Sequence, residues 1–295
     1  MNERHGAIPV FYSSRMVAPS ASSFSPSAAK PAAVAASWRK LPVALAWHEP
    51  QPATVAELCL AHDADFVTDV LACRRNNGFN EASAEVAASL PWTTGSLLSA
   101  ARYVLAHKAP VAAAPCSGFH HACYASAGGF CTFNGLMVTA LSVNADLAAR
   151  GEDGCVAILD CDMHYGDGTD DIIARLGVDR ARVVHVDVGA RYFAAKHARE
   201  FLQVLPQLVE ELAECDVILY QAGADPHVDD PLGGWLTTEE LRARDALVFE
   251  SAQKIGVPVL WNLAGGYQRE KDGSIPKVLA IHDNTMLECA RVFGG

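Results

Sequence analysis

The chain has 295 residues, 51% of them hydrophobic and 19% charged, with a net charge of -11 at pH 7. That is enough apolar material for a large buried core, and the wrong sign of charge for a general nucleic-acid binder, which carries a basic face. Nine cysteines without a Cys-x-x-Cys pair, in apolar or small-residue surroundings such as those of Cys59, Cys73, Cys155, Cys215 and Cys289, read as reduced thiols and not as a disulfide framework.

No apolar run approaches a membrane span, and the N-terminus lacks a basic-then-apolar signal pattern. The expectation is a soluble, cytoplasmic protein that meets neither membrane nor nucleic acid. Nothing resembles a linker in mid-chain, so residues 1–295 read as a single domain. In chain order, residues 20–36 are rich in Ser, Pro and Ala and read as a loop. Short apolar runs follow at 43–47, 111–115, 156–160, 183–188, 217–221 and 257–262. Rich in Val, Ile, Leu or Ala and not clearly alternating, they read as strands buried on both faces of a parallel sheet. Helical stretches fall between and after them, at 96–106, 134–149, 196–214, 238–255 and 275–292. Glu239 and Glu240, beside Thr238, place acidic residues in a first helical turn, where the dipole favours them. Alternating strand and helix predicts an α/β fold, a single parallel β-sheet with helices on both faces.

Polar residues cluster where the apolar runs end. His120-His121, Asp160-x-Asp162-x-His164, Gly223-Ala224-Asp225 and Gly265-Gly266-Tyr267 each follow one. In open parallel sheets, sites form at the carboxyl ends of strands, so four such ends point to one shared site. Asp160, Asp162 and His164 occupy every second position and share a face of an extended chain, which lets Asp162 and His164 reach one metal ion. Asp225, in a Gly/Ala stretch, is either a turn residue or a third ligand. Three protein ligands with room for water are the layout of a catalytic zinc centre and not of a closed structural one. Two carboxylate ligands neutralise much of the ion's charge, so such a site needs a base and an oxyanion donor beside it.

The tandem histidines, Gly129-Phe130-Cys131, the Asp-x-Asp-x-His-x-Gly-Asp-Gly-Thr segment from Asp160 to Thr169, Gly-Ala-Asp ending at Asp225, Asp230-Pro231-Leu232-Gly233-Gly234 and Gly265-Gly266-Tyr267 together resemble the zinc-dependent histone deacetylase family. The resemblance is to a bacterial-type, class II-like member, runs over about residues 115–270 in the family's order, and implies the arginase/deacetylase fold. It implies Asp162, His164 and Asp225 as ligands of zinc, or of iron(II). His121 would then be the base that takes a proton from the attacking water, and His120 its electrostatic partner or proton donor. Asp160 would back His120, Asp167 would back His121, and Tyr267 would donate its hydroxyl to the oxyanion. Gly129, Phe130 and Phe193 would line a narrow acyl-lysine tunnel, with Tyr192 an alternative to Phe193. Potassium near Asp160 is a further implication of the family.

Three departures qualify the resemblance. Residues 24–31 replace the family's arginine-bearing stretch at the floor of the site, and Lys30 is the basic residue left there. The segment after Asp187 lacks the usual Pro-Gly-Thr-Gly, which reshapes a rim loop, and Glu81 is the acidic residue of the other rim loop. Leu232 stands where polyamine deacetylases of the family carry an acidic gatekeeper, which favours an acyl-lysine side chain over an acylated polyamine. The alternatives are an acetylpolyamine amidohydrolase, a catalytically silent acyl-lysine binder, and a two-metal arginase-like hydrolase, whose Asp-x-His-x-Asp order this chain does not follow.

Overall fold

Seven short strands, all parallel, make one sheet in the order β2-β1-β3-β7-β6-β4-β5. They are β1 (Ile8–Phe11), β2 (Leu45–His48), β3 (Val111–Ala114), β4 (Val156–Asp160), β5 (Val183–Asp187), β6 (Val217–Gly223) and β7 (Val259–Ala264). The structure is a computed structural model, and it describes residues 6–19, 23–107 and 109–294. The helices are α1 (Lys30–Trp38), α2 (Val55–Leu58), α3 (Ala64–Leu71), α4 (Ala84–His107), α5 (Gly135–Ala148), α6 (Asp167–Leu176), α7 (Ala198–Glu210), α8 (Thr238–Ile255) and α9 (Pro276–Phe293).

Alternation along the central strands feeds two cores, one on each face. Ala157 and Leu159 of β4, with Ile218 and Tyr220 of β6, pack on Trp38 of α1, Phe201 of α7, Phe249 of α8 and Met286 of α9. Val156 and Ile158, with Leu219 and Leu260, pack on Phe66 of α3, Leu97 of α4, Leu136 of α5 and Ile172 of α6. The expected α/β layering, with helices on both faces, is what forms. Among the described residues no helix is long and apolar enough to cross a membrane.

Some elements differ from expectation. The loop assigned to residues 20–36 gives way at Lys30 to α1, and residues 20–22 lie outside the described residues. Pro31 is tolerated in the first turn, and Val34, Ala35 and Trp38 bury one face, so position outweighs composition. β1 was not expected. It pairs with β2 over four residues but with β3 only at Val10 and Ala113, in keeping with Pro9, which has no N–H to give. α4 begins twelve residues before the expected helix and carries Pro91 in its interior, with the Pro91 carbonyl accepting from the Ala53 N–H at 2.8 Å. α6 was also missed; it starts inside the polar motif at Asp167 and stops at Gly177, whose φ of 61° suits glycine.

Candidate active site

Because every strand runs the same way, the carboxyl ends of β3, β4, β6 and β7 open onto one edge of the sheet. β4 delivers Asp160 and then Asp162 and His164. β6 delivers Asp225, and the segment after β7 delivers Tyr267. Ligand atoms of Asp162, His164 and Asp225 all lie within 4.8 Å of one another. His164 Nδ1 is 3.1 Å from Asp162 Oδ1 and 2.9 Å from Asp225 Oδ2.

The charge balance of this cluster suits a cation. Asp162 and Asp225 are both buried and face one imidazole. Burial, reinforced by the neighbouring Asp162 carboxylate, pushes Asp225 up to about 7. For Asp162, burial is overridden by the charge on His120 and a hydrogen bond from His164, which hold it well below the usual carboxylate range. Two buried carboxylates and an imidazole whose ligand atoms converge form a donor set for a divalent ion.

Both histidines after β3 are backed as expected. His120 Nδ1 is 2.8 Å from Asp160 Oδ2, and His121 Nδ1 is 2.6 Å from Asp167 Oδ1. Burial would lower His120, but the carboxylates of Asp160 and Asp162 override it and raise the ring to about 10. His121 moves the other way: burial and the charge on His120 lower it, against the pull of Asp167. The two adjacent imidazoles, with ring centres 4.1 Å apart, are thus split into one that holds a proton and one that accepts one. Tyr267 shares a small buried cleft with His120, Asp162, Gly129 and Phe130. Burial and the nearby carboxylates raise its phenol, so the hydroxyl keeps its proton.

Two glycines make the crowding possible. Gly265 (φ +49°) presses on the Asp225 carboxylate, and Gly129 (φ +54°) on the His121 ring, each leaving no room for a Cβ. Phe130 also lies in the left-handed region, at φ 63°, unusual strain for an aromatic residue.

The mouth differs in part from the implied tunnel. Phe130 is flanked by Phe24 at 5.1 Å, Tyr267 at 5.6 Å and Phe79 at 6.1 Å. Phe193 stands away from this group, 60% exposed, with its ring on His197. Tyr192 turns inward onto Phe201. Leu232 lies exposed on the Asp230–Gly234 loop. Phe24 escaped notice because a lone aromatic in a Ser/Pro stretch gives no periodic signal.

Two basic residues lie behind the site. Lys30, fully buried, donates its ammonium to the Gly265 carbonyl, and burial lowers it to about 8 despite the pull of Asp225 and Asp162. Arg244, from α8, was missed. Its guanidinium is buried and donates to the carbonyls of Gly223 at 2.7 Å and Cys161 at 3.3 Å, just upstream of Asp225 and Asp162. The sequence did carry a signal, since Leu241, Arg244, Asp245, Val248 and Phe249 trace one helical stripe with a charge pair on its apolar face. Gln221 closes the network, donating to Asp160 Oδ1 at 2.9 Å. His185 and Asp187 of β5 bring further ligand atoms to Asp160, forming a second cluster where the cation was expected.

The chain matches the histone deacetylase domain over residues 26–189 and 180–280. It is 28% identical over 250 residues to an uncharacterized protein of Picosynechococcus, covering 75% of this chain and 79% of that one. It is 29% identical over 185 residues to acetylpolyamine amidohydrolase 2 of Pseudomonas aeruginosa, covering 52% of this chain and spanning half the length of that relative. The crystal structure of the HDA15 HD domain superposes with a TM-score of 0.74 at 18% identity, covering 98% of this chain and 89% of that one, a likeness of fold.

Proposed function

The chain belongs to the histone deacetylase family, and on that premise we propose that it is a zinc-dependent amidohydrolase that removes an acetyl or other acyl group from an acylated lysine or related amine. The observation that carries this reading is the convergence of two His–Asp pairs and Tyr267 on the Asp162, His164 and Asp225 cluster. A silent binder would not need two oppositely tuned imidazoles beside a protonated phenol.

In this proposal Asp162, His164 and Asp225 hold the zinc ion, which when bound supplies Lewis acidity to the acyl carbonyl and to the attacking water. His121 does the proton work. With Nδ1–H directed at Asp167, its Nε2 is free to accept the proton of the water as it adds to the carbonyl carbon. Tyr267 donates its hydroxyl to the developing oxyanion. His120, held protonated by Asp160, steadies that negative charge and can return a proton to the departing amine. One water is consumed, and a carboxylate and an amine leave. A potassium ion would sit near Asp160, where the Asp187 carboxylate offers a further oxygen donor.

Leu232, an exposed apolar residue where polyamine deacetylases of the family carry an acidic one, offers no charge to a second amine, which supports an acyl-lysine substrate. An acetylpolyamine is the second reading, supported by the activity named for the Pseudomonas relative. Zinc-reconstituted protein should hydrolyse an acetyl-lysine peptide with higher kcat/KM than acetylspermidine. The reverse order would make the polyamine reading the correct one, and no turnover of either would remove the hydrolase.

A further inference from the structure

At the edge of the sheet opposite the metal cluster, the sulfurs of Cys155 and Cys215 lie 2.7 Å apart. That is only about 0.7 Å longer than a disulfide bond. Among the described residues no other pair of cysteines brings its sulfurs into contact. The backbone holds the approach in place: Asp216 N–H donates to the Cys155 carbonyl at 2.8 Å, and the Asp216 carboxylate accepts from Cys155 N–H at 2.8 Å. Immediately beyond, Val156 of β4 pairs with Val217 of β6, so the two thiols stand at the starts of neighbouring strands. Both pack on the same apolar core. Cys215 is buried and Cys155 is half-buried, so the oxidant meets Cys155 first.

We propose that Cys155 and Cys215 form a site of covalent modification, oxidised to an intramolecular disulfide by exchange with a low-molecular-weight disulfide such as oxidised glutathione. The Cys155 thiol gives its proton to solvent and its sulfur attacks the glutathione disulfide, releasing one glutathione, which takes up a proton. Cys215 then loses its proton and attacks the Cys155 sulfur of the mixed disulfide, releasing the second glutathione. Two protein thiols are oxidised to one S–S bond, and one glutathione disulfide is reduced to two thiols. Burial and the neighbouring Cys155 sulfur raise the Cys215 thiol, so the second step quickens as pH rises.

The bond would close a loop between residues 60 positions apart in the chain and tie together the starts of the two strands whose far ends carry Asp162 and Asp225. It restricts the unfolded chain and so raises the thermal midpoint. This inference is independent of the hydrolase reading.

The test uses the full chain, reduced, desalted, incubated with oxidised glutathione, then unfolded in denaturant, alkylated with iodoacetamide and digested. One linked peptide pair should appear, joining Cys155 to Cys215 and about 2 Da lighter than the two thiol peptides together. The other seven of the nine cysteines should carry the alkyl group. The thermal midpoint should rise on oxidation and fall back with dithiothreitol, and Cys155→Ser and Cys215→Ser should each abolish the rise. The proposal is overturned if both thiols of the untouched chain remain alkylatable after oxidation. It is equally overturned if cross-links scatter among other half-buried cysteines such as Cys59 and Cys73.

Discussion

At the scale of single residues, the site works by setting like groups apart. Two neighbouring imidazoles and two neighbouring carboxylates each titrate in opposite directions because their partners differ. Tyr267 completes the set, and Tyr267→Phe should lower kcat by about two to three orders of magnitude, as loss of an oxyanion donor does. Metal content should stay unchanged, and near-normal turnover in that variant would remove Tyr267 from the mechanism. Lys30 supplies a pH test. Its folded pKa is about 8 against an ordinary 10.5, so between those values the unfolded chain binds the proton more readily. Stability therefore rises with pH across that window, and denaturant titrations should show wild type gaining on Lys30→Met from pH 8 to 10.5. A constant difference would mean that Lys30 is not held in a charge-averse position. The residues that were legible in the sequence are those whose chemistry is local: Asp160, Asp162 and His164 fall within five positions and declare themselves by spacing, whereas Asp167 entered only through the family resemblance. Phe24 was not legible, because what makes it part of the mouth is a contact with Phe130 more than a hundred residues away.

At the scale of elements, the strands that announced themselves are those that lie in an apolar run free of proline within the strand. β4, β6 and β7 each hold a run of at least three apolar residues, whereas β1 is four residues long and contains a proline that argues against a strand. α6 was hidden by its polar start: its first turn carries Asp167 and Asp170, which read as part of the motif and not as a helix. α8 was recognised as a helix, but only the fold shows why it buries a charge pair. Arg244 reaches across to the carbonyls that precede two of the metal-cluster residues, fixing both loops from behind. Arg244→Met should weaken zinc binding by about 10- to 100-fold, in line with other outer supports of metal ligands. Competition with a chelator measures it. Arg244→Lys should recover part of the loss, and an unaltered zinc affinity in Arg244→Met would reduce the arginine to a packing role.

At the scale of the whole molecule, the fold and the metal cluster depend on each other. The ligand-type side chains come from different strands, so the unfolded chain cannot present them together, and an ion that binds them stabilises the folded state alone. Zinc at a hundred times its dissociation constant should add about 2.7 kcal/mol of stability. Scanning calorimetry should show the midpoint rising with zinc and returning on dialysis against chelator; a midpoint indifferent to zinc would contradict a folded-state site. The sheet's uniform direction has a practical corollary. All the groups proposed for hydrolysis gather where strands finish, so the turn at residues 149–154, ahead of β4, is separated from them by the five-residue strand, about 16 Å of extended chain. A fluorophore or solid support anchored at that turn would leave the mouth facing free solution, giving an immobilised form of the protein whose substrate access matches that of the untethered chain.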